Sequence, residues 1–148
     1  MNIHTLIYDS ESFGITQKSL KMLRNALVDN LRDKILVLEI STSDILCGFL
    51  IVNHTQKSAT WTGDGFRTDR GGEGGRGYKA ATELLRTFGI NKHDLFEIDQ
   101  ADKFTKATEI TTSKAERDRN MMNAINEILQ RYNEDFMYEC VYERNPSY

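Results

Sequence analysis

Residues 34–62 read KILVLEISTSDILCGFLIVNHTQKSATWT, and this stretch decides the fold. Two aliphatic runs, residues 34–40 and 45–52, and a shorter run at residues 58–62 are separated by turns rich in Ser, Thr, Asn and Asp. Short strands joined by short turns favour antiparallel pairing, because parallel neighbours need a long crossover connection. The stretch therefore predicts an antiparallel β-meander at the centre of the molecule.

A strand and a helix are predicted before the meander. Residues 3–8 form a short apolar run, which is typical of a strand. Gly14 and Thr16 then open a helix, for which Thr16 is the predicted N-cap. Its apolar residues recur every three or four positions, which predicts one buried face made of Leu20, Leu23, Leu27 and Leu31.

Two further helices are predicted after the meander. One spans residues 78–88 and ends at Gly89, the residue that most often closes a helix. The other spans residues 113–132 and begins with the capping box of Ser113 and Glu116. The remaining segments are predicted as strands at residues 95–98 and 136–142 and as irregular chain at residues 99–112.

These elements predict a single α+β domain over residues 1–148. Its fold would be an antiparallel β-meander sheet packed with about three helices, in a single layer on one face. Residues 143–148 contain the only proline of the chain and are expected to form a frayed tail.

Composition and charge narrow the classes of function. The chain has 28% charged residues and a net charge of -3, so a nucleic-acid partner is not expected, because duplex binding needs a basic face. It lacks both an apolar run of membrane-spanning length and a signal-peptide pattern, so we expect no membrane contact. Two cysteines are too few for a disulfide framework, which favours reduced thiols and a cytoplasmic protein.

The most unusual segment is the glycine-rich stretch at residues 63–77, which holds seven of the ten glycines. We predict a loop here that leads directly into the helix at residues 78–88. Glycines let backbone N–H groups approach an anion closely, and a helix N-terminus carries partial positive charge. The stretch therefore predicts a pocket for a phosphate and a base.

Each candidate side chain has a role in such a pocket. Arginines bind phosphate with two parallel hydrogen bonds, aromatic rings stack on a base, and carboxylates accept hydrogen bonds from ribose hydroxyls. The predicted ligand-binding residues are Asp64, Phe66, Arg67, Asp69, Arg70, Gly74, Gly75, Arg76 and Tyr78.

One other interpretation of the stretch stays open, and two motifs are not supported by the residues around them. A mobile hairpin tip without a ligand would also be rich in glycine. Residues 72–77 match the dinucleotide fingerprint G-x-G-x-x-G, but no strand is predicted immediately before them. A phosphate-binding P-loop is excluded because Lys79 is not preceded by Gly and followed by Ser or Thr.

No catalytic group stands out. The three histidines, His4, His54 and His93, are scattered, so we predict no metal site and no cofactor. Cys47 lies in an apolar run, and no nucleophile has a paired base within a known motif. The sequence therefore favours a binding protein over an enzyme.

The segment at residues 59–90 resembles phage anti-Thoeris proteins, which sequester cyclic ADP-ribose-type signals. The resemblance is carried by Gly63-Asp64-Gly65-Phe66-Arg67 and by the glycines that follow up to Gly77-Tyr78. It implies a self-associating α+β protein of the host cytosol that binds a small host nucleotide without cleaving it. It further implies that Phe66 contacts the adenine and that Arg67 and Arg76 contact the diphosphate.

Two other functions remain open at this point. One is a protein–protein inhibitor of a host enzyme, acting through its acidic surface and the helix at residues 113–132. The other is an enzyme that processes nucleotides or ADP-ribose, with Asp64, Asp69 or Glu73 as acid or base.

Overall fold

A computed structural model describes residues 3–91, 95–98 and 113–136. A single turn of 3₁₀-helix at Ser10–Ser12 follows the first strand. The strands are β1 (Thr5–Ile7), β2 (Ile35–Ser41), β3 (Leu46–Asn53), β4 (Ser58–Trp61), β5 (Phe66–Arg67) and β6 (Phe96–Ile98), and the helices are α1 (Thr16–Asp29), α2 (Gly72–Thr87) and α3 (Lys114–Phe136). The predicted α+β class is confirmed.

The sheet has the strand order β1-β4-β3-β2-β6, with β5 paired to the start of β3. Strands β2, β3 and β4 form the predicted meander, in which Leu38 faces Leu50 and Leu50 faces Trp61. The flanking strands correct the prediction of a purely antiparallel sheet, because β1 pairs with β4 and β6 pairs with β2 in parallel. Each of these parallel pairs is joined by a connection that includes helical segments, as parallel pairing requires.

Helices cover both faces of the sheet, so the predicted single layer of helices on one face is wrong. On one face, Leu38 and Leu50 pack with Ile125 of α3. On the other face, Val37 and Phe49 pack with α1 and α2. Strand side chains alternate between faces, and β2 is buried at six successive positions, so both of its faces need a cover.

The predicted loop at residues 63–77 is partly regular structure. After Trp61 the chain bulges away from β3 at residues 63–65 and then pairs with it again as β5, where Phe66 faces Cys47. Helix α2 begins at Gly72, six residues earlier than predicted. Glycine has a low helix propensity, but the packing of Gly77 described below requires a residue without a side chain at this place.

The N-cap of α1 also differs from the prediction. Ile15 occupies the cap position and makes no side-chain capping hydrogen bond. Thr16 is instead the first helical residue, and its Oγ1 donates to the carbonyl oxygen of Gly65 at 2.6 Å. This hydroxyl therefore ties α1 to the bulge before β5.

The last predictions fall largely outside the described residues. These are the irregular segment at residues 99–112, the strand at residues 136–142 and the frayed tail at residues 143–148. Of these residues only Phe136 is described, and it ends α3. Among the residues that are described, no helix combines the length and the hydropathy needed to cross a membrane.

Candidate functional site

The N-termini of α1 and α2 lie at the same end of the molecule. Thr16, the first residue of α1, contacts Gly77 near the start of α2, and a groove farther along is lined by both helices. Residues 67–71, which we call the arginine turn, connect β5 to α2 at this end. Helix α2 therefore directs its partial positive charge toward the arginine turn, which ends at its N-cap Gly71.

In the arginine turn, the carboxylate of Asp69 accepts hydrogen bonds from Arg67 and from the backbone of Gly71. Arg67 donates to both oxygens of Asp69, from Nε at 2.9 Å and from Nη2 at 2.6 Å. The backbone N–H of Gly71, the N-cap of α2, donates to Asp69 Oδ1 at 3.0 Å. The hydrogen bond between the two side chains raises the pKa of Arg67 and lowers the pKa of Asp69. Two of the predicted site residues thus already satisfy each other.

Four other predicted site residues surround this pair. A Cβ atom at Gly74 would lie 2.7 Å from Cγ of Arg67, so Gly74 makes room for the arginine side chain. Gly75 lies against the backbone of Arg70, which adopts a left-handed conformation with φ of 64°. The side chains of Arg70 and Arg76 are exposed. Three arginines therefore lie within residues 67–76, which span the arginine turn and the first turns of α2.

Asp64 has a structural position in the bulge between β4 and β5. Its Oδ1 accepts from the backbone N–H of Gly14, and its Oδ2 accepts from Oγ1 of Thr42, both at 2.8 Å. Both carboxylate oxygens therefore link loops that precede α1 and follow β2. A ribose hydroxyl would have to compete with these two partners.

Phe66 is placed where it cannot stack on a ligand. Its side chain is 0% exposed and lies in the core between the sheet and the two N-terminal helices. Its ring centroid is 5.5 Å from that of Phe49 in a tilted arrangement. The predicted role of Phe66 on an adenine ring is therefore wrong. Trp61, the aromatic residue that ends β4 before the bulge, is buried on the opposite face of the sheet.

Tyr78 is half-buried and is bound to the sheet. Its hydroxyl donates to Oε1 of Glu39 at 2.5 Å, and its ring stacks on Phe49 with centroids 6.3 Å apart. Burial is the largest cause that raises the pKa of Tyr78, followed by the hydrogen bond to Glu39. Glu39 is itself buried in β2. One face of the Tyr78 ring is thus already covered by protein.

One feature was missed by the sequence analysis, a groove of about 420 Å³ on the outer side of α1 and α2. The described residues that line it combine an apolar floor with a polar and basic rim: Gln17, Leu20, Lys21, Arg24, Ala80 and Leu84. The available signal was the basic stretch of α1 from Thr16 to Val28, which has no acidic residue before Asp29. The helix periodicity was used only to predict the buried face.

The residues considered for chemistry are dispersed. Cys47 is buried in β3. His54 has a buried Nε2 that finds no hydrogen-bond partner among the described residues, and burial is the largest cause that lowers the pKa of its ring. His93 lies outside the described residues. Within residues 3–91, 95–98 and 113–136, no three His, Cys, Asp or Glu side chains come together as metal ligands would.

Comparisons of the chain with protein-family models, with curated proteins and with solved structures gave no match.

Proposed function

We propose that the chain binds and sequesters a small phosphorylated nucleotide without converting it, and that the arginine turn holds the phosphate. The observation that carries this proposal is the Asp69 carboxylate, which accepts hydrogen bonds from Arg67 and from the backbone N–H of Gly71. A phosphate oxygen pair accepts from the same donors with the same geometry. Asp69 then acts as an internal anion that the ligand displaces.

Charge around the turn supports the same ligand class. Arg70, which precedes α2, and Arg76, which lies in its second turn, are both exposed, and Gly71 places no side chain over the helix N-terminus. A helix of 16 residues contributes partial positive charge at this end. Two arginines and the helix terminus can therefore neutralise a diphosphate once Asp69 has moved away.

The resemblance to anti-Thoeris proteins supplies the proposed ligand, a cyclic ADP-ribose-like host signal, together with a cytoplasmic location and self-association. Because Phe66 is buried in the core, the adenine must lie elsewhere than that resemblance implied. Tyr78 offers at most one ring face, since Phe49 covers the other.

A thermal-shift screen against ADP-ribose, its cyclic isomers, mono- and dinucleotides and pyrophosphate tests the proposal. A ligand at 100 times its Kd stabilises the fold by about 2.7 kcal/mol, which shifts the Tm by several degrees. We expect Arg67→Ala to weaken binding on the order of tenfold or more, because it removes two charge-assisted hydrogen bonds. Recovery of the unaltered ligand would separate sequestration from processing.

Two variants give the screen its controls. Asp69→Asn keeps the shape of the internal anion but removes its charge, so it should bind phosphate more tightly than the wild type. Arg32→Ala removes an exposed arginine outside the three helices and should leave affinity unchanged. A flat panel, or equal affinities for the wild type and Arg67→Ala, would contradict the proposal.

A further inference from the structure

The groove between α1 and α2 combines two kinds of surface. Its floor is made by the partly buried apolar residues Leu20, Ala80 and Leu84. The exposed side chains of Lys21 and Arg24 stand along the α1 side of this floor. An apolar surface beside fixed positive charge suits a ligand that has a flat apolar body and an anionic group.

The helix geometry aligns these residues into one face. Gln17, Leu20, Lys21 and Arg24 are spaced by three, four and seven positions, and Ala80 and Leu84 are spaced by four. Side chains at these spacings are neighbours on a helix surface. Each helix therefore contributes one continuous row, and the two rows line the same depression.

The electrostatic character of the groove is positive. From Thr16 to Val28, α1 carries Lys18, Lys21 and Arg24 and no acidic residue. Among the described residues, Lys21 and Arg24 take part in no ion pair, whereas Lys18 contacts Glu11 at 3.7 Å. Both groove cations are therefore available to an anionic ligand.

We propose that this groove is a binding site for a small aromatic anion. The ring system lies on Leu20, Ala80 and Leu84, and the anionic group lies between Lys21 and Arg24. Gln17, whose amide both donates and accepts, pairs with a polar ring edge. The volume of about 420 Å³ lies within the range of about 300–1,000 Å³ that is usual for small-ligand sites.

This site is separate from the arginine turn. None of residues 67–71 lines the groove. Binding in the groove therefore does not depend on phosphate binding at Arg67.

A fluorescence titration with 8-anilinonaphthalene-1-sulfonate, an aromatic anion that becomes fluorescent when it leaves water, tests the groove. We expect saturable binding to the wild type and on the order of tenfold weaker binding to Arg24→Ala, which loses a charged partner. Leu84→Glu places a negative charge in the floor and should abolish binding. Arg32→Ala should bind the probe like the wild type.

Equal affinities for the wild type and Arg24→Ala, or no saturable binding, would overturn the assignment. Arg24 is exposed, so Arg24→Ala decides the outcome even where Leu84→Glu fails to fold. Displacement of the probe by AMP identifies a nucleotide as the kind of ligand, and displacement by 1-naphthoate identifies an aromatic carboxylate. Displacement by neither, or equal displacement by inorganic phosphate alone, also contradicts the proposal.

Discussion

At the scale of single residues, Gly77 explains why the glycine-rich stretch packs as it does. A Cβ atom at Gly77 would lie 2.1 Å from Cγ2 of Thr16, which is far inside van der Waals contact. The close approach of α1 and α2 therefore requires glycine at this position. Glycines that looked like a ligand cradle in the sequence thus include at least one that serves the packing of two helices.

Gly77→Ala should destabilise the fold. Alanine would favour the helix by about 1 kcal/mol relative to glycine, but overpacking against Thr16 costs typically about 1–3 kcal/mol. The expected net loss is measured by chemical denaturation. The control is Thr16→Ser, which keeps the hydroxyl that donates to Gly65 and deletes the clashing methyl group. If Gly77→Ala is as destabilising in the Thr16→Ser background, the contact is not the cause.

His54 makes stability depend on pH. Burial is the main cause that lowers the pKa of His54 below its ordinary value of 6.5, so the folded state takes up its proton less readily than the unfolded state. The stability that the folded state gains from the neutral His54 ring is complete above about pH 6.5. It is lost as the pH falls toward the lowered pKa of His54 in the folded state. We expect the Tm of the wild type to fall between pH 7 and 5.5, and the slope to be smaller in His54→Gln. Equal slopes for the two proteins would show that another group is responsible.

At the scale of elements, the strands and helices with strong periodicity were predictable and the glycine-rich stretch was not. Strands β2, β3 and β4 follow their aliphatic runs within two residues at each end. The start of α2 was missed because six residues from Gly72 to Gly77 include four glycines, which local propensity assigns to loop. Contacts with Thr16, which is distant in sequence, and with Arg67 of the preceding strand override that propensity.

The candidate site shows the same limit of local sequence patterns. Arg67 and Asp69 do lie together, as their separation of two residues allowed. Phe66 was expected to face a ligand, but a residue in a strand alternates between faces, and the short strand β5 was not predicted. Its pairing with Cys47 directs Phe66 into the core.

The hydrogen bond between α2 and β2 should contribute measurably to stability. Tyr78→Phe removes the hydroxyl that donates to the buried carboxylate of Glu39, and losing a partner of a buried polar group costs about 1–3 kcal/mol. Tyr8→Phe is the matched control, since Tyr8 donates to Asp118, which keeps its contact with Lys114 at 2.9 Å. The loss in free energy of unfolding should be larger for Tyr78→Phe. A larger loss for Tyr8→Phe would contradict this account.

At the scale of the whole molecule, the two covered faces of the sheet follow from the meander sequence. Residues 35–40 are continuously buried, and only a strand with a cover on each side can bury every side chain. The continuous aliphatic run therefore carried the signal for a second layer of helices, which the prediction of a single layer overlooked. The parallel strands β1 and β6 carried no such signal, because pairing partners distant in sequence are not encoded in local periodicity.

If both faces belong to one cooperative core, damage to either face must weaken the whole molecule. Ile125→Ala and Leu85→Ala remove fully buried side chains from opposite faces, and each should cost about 2–5 kcal/mol. The single tryptophan, Trp61, lies on the α3 face and reports unfolding by fluorescence, while circular dichroism reports the helices of both faces. Leu85→Ala should therefore lower the denaturation midpoint of both signals equally, although it lies across the sheet from Trp61. If Leu85→Ala left the denaturation midpoint of the Trp61 fluorescence unchanged, the two layers would unfold independently.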